Sequence, residues 1–142
     1  MRWDKEVIFH LRNLEKNRIA IKNLEERLAV KEEQKFNLKC QNSEDIKVQT
    51  SLENTDVLLN LIVECDEVRK QLRDVMFEVK WIETGMDCLN DIEIQCLTEF
   101  YINNNPHAAC VLASSLNYSN AHIYRIRNNA LNKLVANLYG CC

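Results

Sequence analysis

The stretch LASSLNYSNAHIYRIRNNALNKL, residues 112–134, contains the parts of two helices joined by a tight turn. Ala113 is small where two helices must cross closely. Leu116-Asn117-Tyr118 makes the turn, and Asn117 tolerates the left-handed backbone that such a turn needs. Ser119 is an N-cap residue. Ile123, Ile126, Ala130, Leu131 and Leu134 then recur on one side of a second helix, with Asn120, His122, Arg125, Arg127 and Asn128 on the other. These parts in this order predict a helix-turn-helix that meets duplex DNA.

The flanking sequence completes a three-helix unit over residues 89–142. Asp91 is expected to cap a first helix whose apolar face is Ile94, Leu97, Phe100 and Tyr101. Asn103-Asn104-Asn105-Pro106 breaks the chain, and Pro106 suits the first turn of the next helix, with Asn105 as its cap. That helix is expected to run to about Ser115. The helix that follows runs from Ser119 to about Tyr139, with Gly140 as its C-terminal cap.

Residues 1–88 read differently. Over 3–38, Val7, Leu11, Leu14, Ile21, Leu24 and Leu28 recur at three- and four-residue steps, interrupted by Arg18, on an otherwise charged helix. Residues 40–54, CQNSEDIKVQTSLEN, lose this period and are expected to form a polar loop or a partly ordered connector. A second long helix is expected from Asn54 or Thr55, with Asp56 in its first turn. Its seam is Leu58, Leu61, Cys65, Val68, Leu72, Val75, Val79, Ile82 and Met86, a heptad repeat. The seam fits either an antiparallel hairpin with the first helix or a coiled coil with a second subunit. Gly85 is expected to loosen or stop this helix. The fold class is therefore all-α, two long N-terminal helices followed by a C-terminal three-helix unit. Two Gly and one Pro in 142 residues agree, because strand and hairpin folds need more turn residues.

The net charge of −3 hides an uneven distribution. Residues 1–39 carry ten Lys/Arg against seven Asp/Glu, residues 40–88 five against eleven, and residues 89–142 three against three. A neutral DNA-binding unit cannot hold duplex tightly alone, since non-specific affinity comes from cations neutralising phosphates. A homodimer on DNA is expected for that reason. No stretch reaches the roughly 20 apolar residues of a membrane helix, and the first residues do not read as a signal peptide. Seven scattered Cys are expected to be reduced thiols in a cytoplasm, with Cys141-Cys142 as an exposed tail.

Catalytic and metal readings find little support. There is no glycine-rich phosphate loop or nucleophile elbow, and His10 lies in a charged long helix. Cys96, His107, Cys110 and His122 match no zinc-finger spacing, and Cys96 and Cys110 are expected to be buried. No catalytic residue, metal, cofactor or small-molecule substrate is expected. In a helix-turn-helix the first residues of the second helix face base edges. Asn120, Ala121, His122, Tyr124 and Arg125 form that set, and Ser119, Arg127, Asn128 and Lys133 are candidates for phosphate.

Residues 89–138 resemble region 4 of bacterial sigma factors. The resemblance rests on IEIQCLTEFY and on residues 112–134, with Ala113, Leu116, Ser119, Ile123, Ile126, Ala130, Leu131, Lys133 and Leu134 in place. A short helical protein with one such C-terminal unit looks like phage late-gene regulators of the RinA and ArpU type. That resemblance implies promoter binding and activation of late genes in a bacterial host cytoplasm, at the nucleoid. The base-facing set departs from region 4, which usually carries several charges there. Two other functions fit the same architecture. One is a coiled-coil module that acts on RNA polymerase or another regulator without reading DNA. The other is a small-terminase-like packaging subunit.

Overall fold

The computed structural model describes residues 2–44 and 48–140, with side chains over 3–40 and 55–140. Its described residues are all helical or in turns, with no strand. The helices are α1 (Arg2–Glu44), α2 (Val48–Met86), α3 (Asp91–Leu97), α4 (Ala108–Leu116) and α5 (Asn120–Tyr139). A π-helical segment, Thr98–Ile102, continues α3. No described helix is long and apolar enough to cross a membrane.

Both long helices extend into the stretch expected as a loop. Residues 40–44 belong to α1 and residues 48–54 to α2, whereas 45–47 lie outside the described residues, as does the Cys141-Cys142 tail. The stretch contains neither Gly nor Pro. A lost apolar period does not by itself end a helix, and nothing in the residue types here forbids one. For the same reason α2 begins at Val48, before the expected caps at Asn54 and Thr55.

The chain forms two compact units, Met1–Arg18 with Phe77–Cys142, and Ile19–Met76. The expected division between 88 and 89 falls inside the first unit, because the start of α1 and the end of α2 pack with the C-terminal helices. Gly85 is the reason α5 can come so close to α2. A Cβ there would lie 2.6 Å from Leu138 Cδ2 and 3.0 Å from Leu134 Cδ1. Gly85 is the last residue but one of α2, and it also admits a neighbour. Asn137 Nδ2 donates to the Gly85 carbonyl at 3.0 Å, one of the last-turn carbonyls that α2 itself cannot satisfy.

Aromatic rings close the first unit. The Tyr139 ring lies 4.5 Å from Trp3 and 5.4 Å from Trp81, and Trp81 meets His10 edge-on at 5.3 Å. The Tyr139 hydroxyl donates to Glu6 at 3.2 Å. Nearby, Arg18 pairs with Glu83 at 2.9 Å and Asn17 donates to Glu78. Val7, Leu11 and Leu14 of α1 are buried, as are Val79, Ile82 and Met86 of the α2 seam.

The second unit holds the rest of the seam. Cys65 and Val68 are buried, and Leu58, Leu61, Leu72 and Val75 are half-buried, all within a single chain. Lys31 pairs with Glu64 at 2.6 Å, and Arg69 with Glu32 and Asp66. The Lys31 ammonium, by hydrogen bond and charge, holds the Glu64 carboxyl below its usual range.

Burial raises two groups of the first unit above their ordinary values. The Cys96 thiol is pushed up by burial and then by the Glu93 charge, and the Tyr139 phenol by burial and then by Glu6. A raised folded value favours the neutral form. The stability it contributes is complete below the unfolded value and is lost as pH climbs through the folded one. The thermal midpoint is therefore expected to fall as pH climbs into the alkaline range, from the ordinary thiol value upward. Tyr139→Phe should flatten the upper part of that fall in a melting series. An unchanged slope would show that Tyr139 is not coupled to folding.

Candidate nucleic-acid interface

The turn between α4 and α5 is built by local chemistry. Asn117 sits at φ 60°, ψ 39°, left-handed as its sequence position requires, and its N–H donates to the Ala113 carbonyl. The Tyr118 N–H reaches the same carbonyl at 3.2 Å. Ser119 is extended, and its hydroxyl accepts from the His122 N–H at 3.2 Å. At the far end Gly140, at φ 70°, closes α5 by donating to Ala136. Ile123, Ala130, Leu131, Leu134 and Val135 are buried. Cys96, Ala109, Leu112 and Ile123 form a core against which Ile92, Phe100, Ala113, Leu116 and Ile126 pack.

Two helix starts differ from expectation by one or two residues. The cap of α3 is Asn90, whose side chain accepts from the Glu93 N–H at 2.8 Å while Glu93 accepts from the Asn90 N–H at 3.3 Å. This reciprocal capping box outcompetes Asp91, which becomes the first helical residue. Pro106 lies in a turn rather than in the first turn of α4. Asn105 accepts there from the His107 N–H at 3.0 Å, and the helix begins at Ala108. Cys110 is exposed, not buried, because α4 packs through Ala108, Ala109 and Leu112 and Cys110 falls off that face. No three His, Cys, Asp or Glu gather to hold a metal among the described residues.

The charges of residues 89–142 segregate in a way their neutral sum conceals. All three carboxylates, Asp91, Glu93 and Glu99, lie on α3 and its π-helical continuation, and all three cations, Arg125, Arg127 and Lys133, lie on α5. Neither α4 nor α5 carries a carboxylate.

The cations are not equally available. Lys133 pairs with Glu93 at 3.1 Å, and Glu93 is 5% exposed. The Arg127 guanidinium sits 5.0 Å from the Phe100 ring centre and 4.9 Å from that of Tyr124, and donates to Asn128 Oδ1 at 3.0 and 3.2 Å. Arg125 is exposed and makes no ion pair or side-chain hydrogen bond among the described residues.

The π-helical segment explains how Phe100 reaches Arg127. Thr98 Oγ1 donates back to the Ile94 carbonyl at 2.7 Å, a bond that bends helices. The Asn103 N–H then skips to the Thr98 carbonyl at 2.8 Å. The widened turn sets Phe100 against Tyr124, 5.7 Å between ring centres, while Tyr101 stays buried. No local signal in the sequence marks this segment.

The sequence-derived set is thus divided. Asn120, Ala121, His122, Tyr124 and Arg125 are all exposed on the first two turns of α5. The His122 ring is held edge-on to Tyr118 at 4.7 Å, and Tyr124 is taken up by Arg127 and Phe100. Of the phosphate candidates, Ser119 spends its hydroxyl on the cap, and Arg127, Asn128 and Lys133 have partners within the chain. Replacing Arg127 by Ala is expected to lower stability by about 0.5–1 kcal/mol, the usual value of an exposed cation–π contact. Urea unfolding of the two proteins measures the difference, and no loss at all would show that the guanidinium does not rest on these rings.

Comparison of the chain with family models, curated proteins and solved structures found no match.

Proposed function

We propose that the chain is a DNA-binding transcription regulator that docks α4, its turn and α5 on duplex DNA. The observation that carries this reading is α5 itself. It is capped by Ser119 behind a left-handed Asn117, it presents Arg125 unpaired, and neither it nor α4 holds a carboxylate. Phosphate repels carboxylates and recruits cations, so this face suits a nucleic acid. The resemblance to phage late-gene activators suggests the promoter of such genes as target. In this reading the protein binds and does not catalyse.

The two long helices form an antiparallel hairpin in this proposal. What supports it is that α1 lies against α2 in each unit taken by itself, through Lys31 and Glu64 in one and through His10 and Trp81 in the other. A hairpin that fills its own seam leaves the dimer to form on DNA, where two copies double the phosphate contacts.

The test is binding to duplex fragments from the gene's own neighbourhood, at low and moderate salt, with Arg125→Ala as control. The wild type should prefer one fragment, and Arg125→Ala should weaken that preference about tenfold. No preference by either protein would overturn the reading.

A second reading has one observation in its favour, the engagement of Arg127 and Lys133 within the chain. It is a module that docks on RNA polymerase or another regulator without reading DNA. Recovery of polymerase by an Arg125→Ala/Arg127→Ala variant, without DNA, would favour it. A solution mass corresponding to a ring of subunits would instead favour the packaging role.

A further inference from the structure

The exposed stripe of α5 does not lie where its first turn would place it. Burying Ile123, Ala130 and Leu134, with Ile126 packed on the core, turns Arg125, Asn128, Asn129 and Asn132 outward, and all four are exposed. Their spacing, a first residue followed by those three, four and seven further on, is that of helices lying along the major groove that read bases from their middle. The first turn offers less. Ala121 has no hydrogen-bonding side chain, and His122 and Tyr124 are held by neighbouring rings.

The asparagines differ in what they can offer. Asn128 Oδ1 already accepts two bonds from Arg127, which leaves its amide as a donor. Asn129 and Asn132 make no side-chain hydrogen bond among the described residues, so both the carbonyl and the amide remain for a ligand. That paired acceptor and donor matches the adenine N6 and N7 edge in the major groove.

A second observation points the same way. Asn129 and Asn132 line a shallow groove of ≈ 470 Å³ with Asn90, Ile92, Ile126 and the Glu93–Lys133 pair, in which the Glu93 carboxylate is 5% exposed and already neutralised by the lysine. The two isoleucines supply an apolar floor, the surface that meets a thymine methyl. An A·T pair presents both features in the major groove, an adenine edge for the amides and a methyl for the floor.

We propose that α5 lies along the major groove and reads A·T pairs through Asn129 and Asn132, with Ile92 and Ile126 against the thymine methyl and Arg125 on the flanking guanine or phosphate. This rests on the DNA-binding reading above.

The experiment is selection of the full chain on a random duplex library. It is repeated with Asn129→Ala, Asn132→Ala and Asn120→Ala, each first checked for unchanged helix content by circular dichroism. The wild type should select sites with A·T pairs. Asn129→Ala and Asn132→Ala should each relax discrimination at one pair roughly tenfold. Uracil in place of thymine at that pair should weaken wild-type binding severalfold. A wild type that selects a sequence whose preference changes only with Asn120→Ala overturns this inference and leaves the DNA-binding reading standing. A wild type that selects no duplex overturns both.

Discussion

Leu134→Ala is expected to destabilise the protein by about 2–5 kcal/mol, the range for deleting a fully buried leucine side chain. Leu134 has no exposed surface and lies where α5 meets α2, its Cδ1 3.0 Å from the position a Gly85 Cβ would take. The cost has two parts, lost transfer of the removed carbons and the cavity they leave. The neighbouring backbone is helical on both sides and collapses poorly, which places the expected value above the bottom of the range. Thermal unfolding should show a drop on the order of 10 °C. Leu138→Ala, one turn later and half-buried, should cost less. A loss below about 1 kcal/mol for Leu134→Ala would mean that α5 is not seated against α2 as described.

Gly85→Leu tests the same seat from the other side. Two effects compete at this position. A glycine in a helix interior costs about 1 kcal/mol relative to Ala, and at Gly85, in the last turn of α2, a side chain gains only part of that. Against that, even a Cβ would sit 2.6 Å from Leu138 Cδ2 and 3.0 Å from Leu138 Cγ. For Gly85→Ala the two nearly offset, because the half-exposed Leu138 can turn its tip away. For Gly85→Leu three further carbons must enter a closed contact, and overpacking of about 1–3 kcal/mol or more wins. Trimming Leu138 to Ala in the same molecule opens the space. The double variant should be more stable than the sum of the single effects by about 1 kcal/mol, measured by urea unfolding. Strict additivity would show that the two residues do not touch.

These contacts mark what the sequence could and could not convey. Asn117, Ser119 and Gly140 were legible because each acts on groups within four residues of itself. The apolar stripes of α1, α2 and α5 were legible because helical period and burial are one fact seen twice. The cap at Asn90 had a readable signal, a Glu three residues later, that Asp91 obscured. Residues 40–54 misled because a stretch that loses its apolar face looks like one that loses its helix. The role of Gly85 was out of reach, since it depends on Leu138, far along the chain. So was the pairing of Lys133 with Glu93, 40 residues apart. In the candidate interface the residue types were visible and their availability was not. Arg127 and Lys133 look like phosphate ligands until Phe100, Tyr124 and Glu93 are placed beside them.

The ring cluster around Tyr139 also decides what optical probes can see. The chain has two tryptophans, Trp3 and Trp81, and both lie against this one tyrosine. Indole emission therefore watches the unit built from residues 1–18 and 77–142, and it is blind to loosening confined to residues 19–76. Far-ultraviolet dichroism registers helix in both. Were the two units to melt separately, fluorescence and dichroism would trace different curves, and a single midpoint taken from either signal would describe only part of the molecule.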